Sequence, residues 1–532
     1  VVEDCMSVDL WSGFPFLSAI VWLPLLGALS LLLLPSGDTV ENHARVRSAA
    51  IVVSLATLAL SLMALSRFSP TTAGYQLVES SRWIESLGVR YELGVDGVSI
   101  SLMLLTTILM PLVILASHSV HESLRGYIAC MLVLESAMLG TLVALDVFLF
   151  YVFWEFMLAP MYLIIGVWGG KRRIYASMKF VLYTVFGSVL MFSAILYTAW
   201  TYYEQSGSGI PSFNLADLLQ ARFTLHEQLW LFGAFALAMC IKVPLFPLHT
   251  WLPDAHVEAP TGGSVVLAGV LLKMGIYGLF RFAYPLFPDG ADALSLLIAV
   301  LAVIGIIYGA CVAWVQPDIK KLVAYSSVSH LGYCVLGLVA GTAVSVTGSA
   351  VQMINHGIST GALFLLVGVL YDRTHTRLIA DYGGIVGKVP VFAFLFLVFT
   401  LSSIALPLTN GFIGEFMILS GSFSSFPRLT TIALAGVVLG AVYMLTLYMR
   451  TMYGEMNPAR EEDVSDVSLV ETLTVAPLLI LVFWIGLFPQ PLVSLIEPSV
   501  VRSLQANRER SEQLKVHNGQ RGTVVPPEVH ST

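Results

Sequence analysis

The chain has 532 residues, of which 57% are hydrophobic and only 11% are charged, and its formal net charge at pH 7 is −7. This excludes a soluble multidomain enzyme, whose surface carries roughly 25–35% charged residues, and the small net charge indicates no nucleic acid partner. Long apolar runs also argue against a β-barrel, in which apolar and polar residues alternate along each strand.

Fourteen segments are apolar and long enough to predict helices that cross a membrane, each of which needs about 20 apolar residues. In chain order they are 15–34, 48–68, 95–117, 126–144, 146–168, 174–203, 229–252, 261–284, 291–314, 321–342, 345–371, 390–425, 429–453 and 468–490. The stretch 390–425 is too long for one regular helix. The first run has no basic leader and no cleavage site, so we expect a retained helix rather than a signal peptide.

The basic residues of the loops predict the orientation of the chain. Thirteen belong to odd-numbered loops: Arg45, Arg47, Arg125, Lys171, Arg172, Arg173, Lys320, Lys321, Arg373, Arg377, Lys388, Arg450 and Arg460. Six belong to even-numbered loops: Arg67, Arg82, Arg90, Arg222, Arg281 and Arg428. The positive-inside rule therefore places the odd loops on the cytoplasmic or matrix side, and both termini on the opposite side.

The last part of the chain, from about residue 497, is polar and contains Arg508-Glu509-Arg510 and the helix breaker Pro526-Pro527. We expect a solvated or partner-bound extension there rather than a further span.

The five cysteines, Cys5, Cys130, Cys240, Cys311 and Cys334, lie far apart and form no CxxC pair. Iron–sulfur and zinc sites commonly use such close pairs. The sequence therefore indicates neither kind of site, and the cysteines are typical of small residues packed in a membrane core.

A weak internal repeat divides the chain into two halves. A tryptophan followed by basic residues occurs at 168–173 (WGGKRR) and again at 314–321 (WVQPDIKK). Two spans later, each half has a hydrophobic segment interrupted by proline, at 242–247 (KVPLFP) and at 406–411 (LPLTNG). Broken helices at corresponding positions of two halves are typical of a transport site.

Seven ionisable residues lie inside the apolar runs, where an acid or a lysine costs about 2.5–3.5 kcal/mol even on a lenient insertion scale. They are Glu135, Glu155, Lys242, Lys273, His330, His356 and Glu415. The functional interpretation is that they face one another or a hydrated cavity. The structural alternative is a set of buried pairs or side chains that reach a membrane face.

The structural alternative to a functional role takes a different form for each of these residues. A nearby lysine would neutralise Glu135, and the two histidines would be neutral, hydrogen-bonded core residues. Lys179 lies near the basic loops and is expected to extend towards that membrane face. A set of four residues that follows the first break would only cap it: His249, Asp254, His256 and Glu258.

The seven residues suit the movement of protons. Desolvation favours the neutral form of a buried lysine, whereas an approaching carboxylate favours the charged form. Glu155 and Lys242 would then act as a loading switch, and Lys273, the two histidines and Glu415 would continue a relay through water. Carbonyls freed by the prolines would bind those waters. No nucleotide-binding loop, nucleophile elbow or haem attachment motif is present in the sequence.

Long collinear motifs give the chain a family resemblance over roughly residues 15–490. They are 150–160 (FYVFWEFMLAP), 242–261 (KVPLFPLHTWLPDAHVEAPT), 267–275 (LAGVLLKMG), 325–332 (YSSVSHLG), 355–357 (NHG), 371–377 (YDRTHTR) and 411–416 (GFIGEF). These motifs resemble the antiporter-like subunits of respiratory complex I, and among them the NADH dehydrogenase subunit 4 family, called subunit M in bacteria.

The resemblance implies an all-α polytopic membrane protein with fourteen transmembrane helices, of which the seventh and twelfth are broken. It implies three N-terminal helices (1–125), two inverted five-helix repeats (126–284 and 291–453), a last helix (468–490) and a polar tail (491–532). Each repeat would form a proton half-channel. By motif, Glu155 and Lys242 match the pair on helices five and seven, and Lys273 matches the central lysine. The remaining matches are Glu135 to an acid on helix four, His330 and His356 to the second-half relay, and Glu415 to the terminal acid.

The resemblance also implies what lies outside the chain. The family forms a proton-translocating unit of NADH:ubiquinone reductase, so this chain would belong to an enzyme but contain no redox site. NADH, FMN, iron–sulfur clusters and quinone would be bound by other subunits, and no cofactor or metal is expected here. The implied partners are the other membrane-arm subunits, including neighbouring antiporter-like subunits, and membrane lipids.

Two alternatives remain open at this point. In a multisubunit sodium/proton antiporter of the same fold, we would expect lysine at the position of Glu415, as in the sister subunits of complex I. A structural scaffold with silent charges is the other. The segments 76–83 (QLVESSRW) and 94–99 (GVDGVS) look like mitochondrial or alphaproteobacterial members. We therefore predict the mitochondrial inner membrane, with a bacterial plasma membrane as the alternative.

Overall fold

The computed structural model describes residues 13–33, 39–72, 74–456 and 464–522, with side chains described up to residue 516. Its helices are α1 Phe16–Leu32, α2 Val40–Arg67, α3 Gly97–Ala116, α4 Leu124–Val143, α5 Val147–Phe156, α6 Leu158–Trp168, α7 Arg173–Ser206, α8 Leu215–Leu218, α9 Leu225–Lys242, α10 Trp251–Glu258, α11 Thr261–Val266, α12 Lys273–Gly278, α13 Tyr284–Leu286, α14 Pro288–Trp314, α15 Ile319–Ala340, α16 Ala343–Thr374, α17 Pro390–Ser403, α18 Asn410–Ser425, α19 Pro427–Met452, α20 Leu469–Leu487 and α21 Gln490–Gly522. Cys5, Arg460 and Pro526-Pro527, which enter the sequence analysis, lie outside the described residues.

Within the described ranges, eleven helical segments are long and apolar enough to cross a membrane, and α1 and α17 are shorter apolar helices. Large apolar side chains on outer helices are exposed, for example Leu182 and Phe186 of α7 and Val438 of α19. Such a surface is typical of contact with lipid rather than water. The predicted class, a polytopic helical membrane protein, is confirmed. Helix length alone does not give the predicted fourteen spans, because α1 has only 17 residues and the segments at 229–252 and 390–425 are interrupted.

The first interruption follows Lys242, where α9 ends, and continues until α10 begins at Trp251. Pro244 and Pro247 lie in this gap, and a proline lacks the N–H that would continue the helical hydrogen bonds. The indole N–H of Trp251 donates to the carbonyl of Ile241 at 2.9 Å, which holds the two sides of the break together. The break predicted for this half is confirmed.

The second interruption lies between α17 and α18, at residues 404–409. Ala405 and Leu408 have positive φ values of 57° and 76°. This left-handed backbone is unfavourable for residues with a side chain, and it persists only where the surrounding structure imposes it. The stretch 390–425 is therefore two helices, as its length predicted.

The helical segment that contains Lys273 has two widened π-helical turns, which the sequence did not predict. They are Leu267–Leu271 and Leu279–Ala283, on either side of α12. In the first turn the N–H of Leu272 donates to the carbonyl of Leu267 at 3.2 Å, five residues back. The carbonyl of Ala268, which would accept that bond in an α-helix, instead accepts the ammonium group of Lys273. The widened turn thus supplies a backbone ligand to a buried lysine.

A two-stranded antiparallel hairpin is the exception to the all-helical prediction. β1 Gln76–Ile84 pairs with β2 Val89–Val95, with Gln76 opposite Val95 and Ile84 opposite Val89. The turn ends at Gly88, whose φ of 69° lies in the left-handed region. A Cβ atom at Gly88 would lie 1.7 Å from the carbonyl oxygen of Pro211, so only glycine fits there.

The C-terminal segment is not a solvated or partner-bound extension as far as the structure describes it, and that prediction is wrong. Residues 490–522 form the single helix α21, which packs on α3, α16 and α14 of the same chain. The hydroxyl of Ser499 accepts the N–H of Gly97 at 2.9 Å, and the guanidinium of Arg510 donates to the carbonyls of Ala221 and Leu286 at 3.1 Å each. Polar residues of this helix therefore attach it to the rest of the protein by hydrogen bonds.

The loops separate onto two faces. The basic-loop face comprises the connections at 117–123, 169–172, 259–260, 315–318 and 375–378, and for example the ammonium of Lys320 donates to the carbonyl of Ala259 at 2.5 Å. The hairpin face comprises the hairpin, the connections at 144–146 and 207–224, and α21; there the N–H of Leu145 donates to the carbonyl of Glu92 at 2.9 Å. Consecutive connections alternate between the faces, as predicted.

Two basic residues counted as loop residues are buried within helical segments. Arg281 is inside the second π-helical turn and only 5% exposed, and Lys320 is in the first turn of α15 and 8% exposed. The loop assignment of Arg281 is wrong, because this residue lies within the helical segment, where its charge is paired with the buried Asp96. The excess of basic residues on the basic-loop face does not depend on either of them.

Candidate functional site

Glu135 lies in the middle of α4 and is completely buried. Neither of its carboxylate oxygens has a hydrogen-bond partner among the residues that the structure describes. Burial of a carboxylate without a partner is strongly unfavourable for its charged form. The alternative in which a nearby lysine neutralises Glu135 therefore finds no support in this part of the chain.

Glu155 and Lys242 are brought together in the first half. Glu155 is partly buried at the end of α5, next to the irregular turn at Met157, where Pro160 cannot continue the helical hydrogen bonds. Lys242 is the last residue of α9 and is 1% exposed. The two side chains are close enough to interact electrostatically, and the Ser188 hydroxyl lies near enough to the Glu155 carboxylate to favour its charged form.

The ammonium of Lys242 does not rest on the Glu155 carboxylate. It has no hydrogen-bond partner within the described part of the chain and lies over two aromatic rings. The ring centroids of Trp154 and Phe180 are 5.0 Å and 5.8 Å from Nζ. A cation–π contact is worth about 0.5–2 kcal/mol, less than a hydrogen-bonded ion pair would gain in such a site. Lys242 is thus held by the two rings rather than by a direct ion pair with Glu155.

Lys273 and His356 are in direct contact at the centre of the molecule. Nζ of Lys273 lies 2.7 Å from Nδ1 of His356, and both side chains are buried. Because an ammonium group only donates, Nδ1 must accept, which places the proton of a neutral His356 on Nε2. That nitrogen has no partner among the described residues.

His330 and Glu415 form the next contact, with Nδ1 of the histidine 2.9 Å from Oε1 of the carboxylate. Nε2 of His330 lies 3.2 Å from the hydroxyl of Tyr443 and 3.4 Å from that of Ser403. These contacts fit a histidine whose Nδ1–H donates to Glu415 while Nε2 accepts from a hydroxyl. Both residues of the pair are buried.

The two contacts join into one row, because the rings of His330 and His356 have centroids 5.9 Å apart. The order is Lys273, His356, His330, Glu415. The structure thus brings together four of the seven predicted residues, places Glu155 and Lys242 in a separate pair, and leaves Glu135 alone.

Three further side chains hold the row and were not predicted. Gln352 donates to Oε1 of Glu415 at 3.1 Å, and Tyr443 and Ser403 contact His330 as above. Gln352 precedes His356 by one helical turn, so a polar stripe on the otherwise apolar α16 is the signal that would have found it. No pattern in the sequence distinguishes Tyr443 or Ser403 from other residues of their helices.

A buried amide and hydroxyl cluster fastens the second break to α16. Asn410, the first residue of α18, exchanges hydrogen bonds with Asn355: the Asn355 amide donates to the Asn410 carbonyl at 2.7 Å and the Asn410 amide donates to the Asn355 carbonyl at 3.3 Å. The hydroxyl of Ser402 donates to Oδ1 of Asn410 at 2.6 Å and contacts the hydroxyl of Ser359 at 2.6 Å. The cluster fixes the start of the helix that carries Glu415.

His256, expected only to cap the first break, lies in the core instead. Its ring is fully buried and stacks on Phe364, with centroids 4.6 Å apart and planes 8° from parallel. Lys273 and Lys320 both act on it electrostatically. It therefore lies between the central lysine and the basic-loop face.

A cavity of about 710 Å³ opens on the basic-loop face. Its lining includes Lys320, Glu258, Asp372 and Arg377, so it is polar enough to hold water.

The other residues near the first break have structural partners. Lys179 forms an ion pair with Asp254 at 2.7 Å and is 20% exposed in its side chain, so it is paired rather than extended towards the membrane face. Glu258 accepts the N–H of Arg172 at 2.8 Å. His249 is buried between the rings of Phe246 and Tyr308. Among the described residues, no group of three His, Cys, Asp or Glu is arranged so that it could hold a metal ion.

Two family models match the chain. Residues 144–442 match the model for the transmembrane region of NADH:quinone oxidoreductases and Mrp antiporters. Residues 39–141 match the model for the amino terminus of NADH-ubiquinone oxidoreductase chain 4.

Similar solved structures include a chain of respiratory complex I from Thermus thermophilus with bound NADH. It has a TM-score of 0.83 and 32% identity, over 92% of this chain and 99% of that one. A chain of the Mrp complex from Dietzia has a TM-score of 0.79 at 19% identity, over 94% of this chain and 99% of that one, a likeness of fold alone.

Similar sequences agree with these matches. NADH-quinone oxidoreductase subunit M of Rhodobacter capsulatus is 44% identical, over 92% of this chain and 96% of that protein. NADH-ubiquinone oxidoreductase chain 4 of Marchantia polymorpha is 40% identical, over 92% of this chain and 97% of that protein. The chain therefore belongs to the NADH-quinone oxidoreductase subunit M (chain 4) family.

Proposed function

We propose that this chain is a proton-translocating subunit in the membrane arm of an NADH:quinone oxidoreductase of the complex I type. The observation that carries the proposal is the buried row of four contacting ionisable side chains, Lys273, His356, His330 and Glu415. Family membership supports it, since the named relatives are subunits of that enzyme.

Glu155 and Lys242 act as the loading switch. When Glu155 approaches, the charged form of Lys242 is favoured, and when it withdraws, the apolar surroundings and the rings of Trp154 and Phe180 favour release of a proton. A switch needs both states within reach, and a lysine held by rings rather than locked to a carboxylate meets that need.

The row conducts the released proton. Lys273 donates to Nδ1 of His356 while Nε2–H of the same ring gives up its proton towards His330, and Nδ1–H of His330 donates to Glu415. The two imidazole rings have centroids 5.9 Å apart, and a water between them would carry the proton from one ring to the other. Glu135 is a further buried acid of the first half, and we assign it a proton-holding role apart from both the loading switch and the row.

The energy comes from partner subunits. Moving one charge against 100 mV costs about 2.3 kcal/mol. NADH, FMN, iron–sulfur clusters and quinone belong, in this proposal, to other subunits of the complex, and this chain binds no cofactor. Its partners are neighbouring membrane-arm subunits, including other antiporter-like ones, and lipid surrounds the rest.

The membrane is an energy-coupling one, with the basic-loop face on the matrix or cytoplasmic side. We propose the mitochondrial inner membrane, with the bacterial plasma membrane as the alternative. Relatives named as chain 4 come from plants, whereas those named as subunit M come from bacteria. The organisation into two inverted five-helix repeats, at 126–284 and 291–453, is part of the same proposal.

The test uses the assembled complex in sealed membrane vesicles, with Glu155→Gln and Lys242→Met made singly. We expect NADH-driven proton transport to fall by at least about tenfold in each variant, because a proton-transfer group contributes 10²-fold or more. Glu85→Gln, on a side chain that is 69% exposed, and Lys171→Met, on an exposed loop residue, are the matched controls and should transport normally.

Two results would overturn the proposal. Normal transport by both Glu155→Gln and Lys242→Met would favour a scaffold with silent charges. Exchange of sodium for protons by the vesicles without NADH would favour the antiporter alternative.

A further inference from the structure

Arg281 is a buried cation outside both the loading switch and the row. It follows Lys273 by eight residues in the same helical segment, which is about 12 Å along the axis at 1.5 Å per residue. Its side chain is 5% exposed, and Nη2 lies 2.6 Å from Oδ1 of Asp96. Arg281 thus stands between the central lysine and the hairpin face.

Aromatic side chains enclose the guanidinium group. Nε and Nη1 donate to the hydroxyls of Tyr277 and Tyr75, each at 3.1 Å. The ring centroids of Tyr75, Tyr277 and Phe280 lie 5.0, 5.2 and 5.7 Å from the guanidinium carbon. The hydroxyl of Tyr277 in turn donates to the carbonyl of Leu142 at 2.6 Å. The cation is therefore held in one position by Asp96, by Tyr75, and by Tyr277 and Phe280 of its own helical segment.

The surroundings keep a positive potential at this point. Asp96 is the N-cap of α3, and its Oδ1 accepts the N–H groups of Val98 and Ser99 at 3.1 Å and 2.9 Å. The N-terminus of a helix carries roughly half a positive charge. The single carboxylate is thus shared between a full cation and a helix terminus, and the local charges do not cancel.

The packing beside Arg281 is mostly apolar. A cavity lined by its neighbour Phe280 has a volume of only about 10 Å³, at the lower limit of what a water molecule needs. Most of its lining is apolar and includes Val98, Ile276, Leu338 and Val500. This side of Arg281 therefore offers little room for water.

From these observations we infer that Arg281 and Asp96 form a seal, which closes the hairpin-face end of the Lys273 helix to protons. A fixed positive charge in a dry passage raises the energy of an excess proton, as in water channels that exclude protons. A proton on Lys273 is thereby kept from the hairpin face, whereas the row towards Glu415 stays open to it. The inference rests on the proposed function, because a seal matters only if Lys273 carries protons.

Stability gives no sufficient reason for the pair. Replacing a buried ion pair by apolar residues of similar volume is often neutral or stabilising. The pair is instead placed where a passage would otherwise short-circuit the row.

The experiment compares Arg281→Gln, Arg281→Lys and the double variant Asp96→Leu/Arg281→Met in the assembled complex. Passive proton leak is measured in sealed vesicles after an imposed pH step, without NADH, and NADH oxidation is measured separately. We expect at least a threefold faster leak in Arg281→Gln and in the double variant, with NADH oxidation retained. Arg281→Lys should stay as tight as the parent because the charge remains.

The double variant leaves no charge unpaired, so it decides the matter if Arg281→Gln does not assemble. An unchanged leak in the assembled charge-free variants would overturn the seal, and so would a leak in Arg281→Lys as fast as in the charge-free variants. These outcomes are distinct from failure of the proposed function, which is read from NADH-driven transport in the Glu155→Gln and Lys242→Met variants.

Discussion

Glu415 gives the row its direction. The row begins with a group that is positive when protonated, Lys273, passes two imidazoles and ends with a group that is negative when deprotonated. Transfer of one proton from Lys273 to Glu415 turns two buried charges into two neutral groups, a change that apolar surroundings favour. The reverse change needs an external push, which is what a driven pump supplies. With an acid at this end, the proposed row can hold one proton either on Lys273 or on Glu415.

Glu415→Gln tests this view at a single atom pair. Glutamine keeps the size and a carbonyl acceptor for Gln352, but it cannot take up a proton, so we expect NADH-driven transport to fall by at least about tenfold. Glu415→Asp should retain part of the activity, because the acid remains at a longer distance from His330. Glu497→Gln, on an exposed residue of α21, is the control. Full transport by Glu415→Gln would show that the terminal acid is not part of the path.

At the residue scale, the sequence predicted the charged members of the site and missed their neutral partners. A lysine or an acid in an apolar run is conspicuous because it is costly there. Tyr443 and Ser403 are not conspicuous, since uncharged polar residues are common in membrane helices, and Gln352 stands out only by lying one helical turn before His356. Contacts such as His330 with Glu415 join residues 85 positions apart, and only the packing of the helices decides them.

At the element scale, the second break positions the acid. Asn410 begins α18, and Glu415 follows it by five residues, so the start of this helix sets where the carboxylate meets His330. The hydrogen bonds of Asn410 to Asn355 and from Ser402 hold that start against α16 and α17. Asn410 is thus a positioning residue, which acts through Glu415 and not on the proton itself.

Asn410→Leu should weaken transport without abolishing it. Leucine preserves the volume but loses the buried hydrogen bonds, each worth about 1 kcal/mol, so we expect a decrease of about three- to tenfold. Combined with Glu415→Gln, it should add little further loss, because both changes act on the same carboxylate. Ser420→Ala, at an exposed position of α18, is the matched control. Fully additive losses in the double variant would mean that Asn410 acts by another route.

The prolines made both breaks predictable, whereas the two π-helical turns were not. A missing N–H is a local property that the sequence states directly. The widened turn before α12 depends on a side chain, since the Lys273 ammonium takes the carbonyl of Ala268 from the helical hydrogen bonds. Whether a lysine bonds to its own helix or to a neighbour depends on the packing around it.

At the scale of the whole molecule, the hairpin face is where the apolar pattern predicts least. A hydropathy window identifies what is buried in lipid, and neither the hairpin nor α21 is. Yet Ile496, Val500 and Leu514 of α21 are buried against the body of the protein, and their spacing is diluted by many charged neighbours. The helix crosses from α3 and α16 to the start of α14, and Arg510 also connects it to Ala221 of the first half on the same face.

Arg510 attaches this helix to the body of the protein through two hydrogen bonds. Burial lowers the pKa of its guanidinium to about 10, which leaves it charged at neutral pH, and it donates to the carbonyls of Ala221 and Leu286. The neighbouring Ser511 donates to Asp289 at 2.5 Å, on the same patch. Arg510 thus connects α21 to the segments that contain Ala221 and Leu286. No other described side chain of α21 forms a hydrogen bond to either residue.

Arg510→Ala should therefore lower the stability of the complex and not its turnover. Each lost hydrogen bond from a charged group costs about 1.5–3 kcal/mol, and two carbonyls would remain buried without a donor. We expect the purified complex to lose activity on heating several degrees earlier, while transport per intact complex at low temperature stays normal. Arg508→Ala, two residues away and exposed, removes the same side chain without these bonds and is the matched control. Equal heat resistance of the two variants would show that α21 is not fastened through Arg510, and a loss of transport at low temperature would mean that the helix takes part in the proton path as well as holding the two halves together.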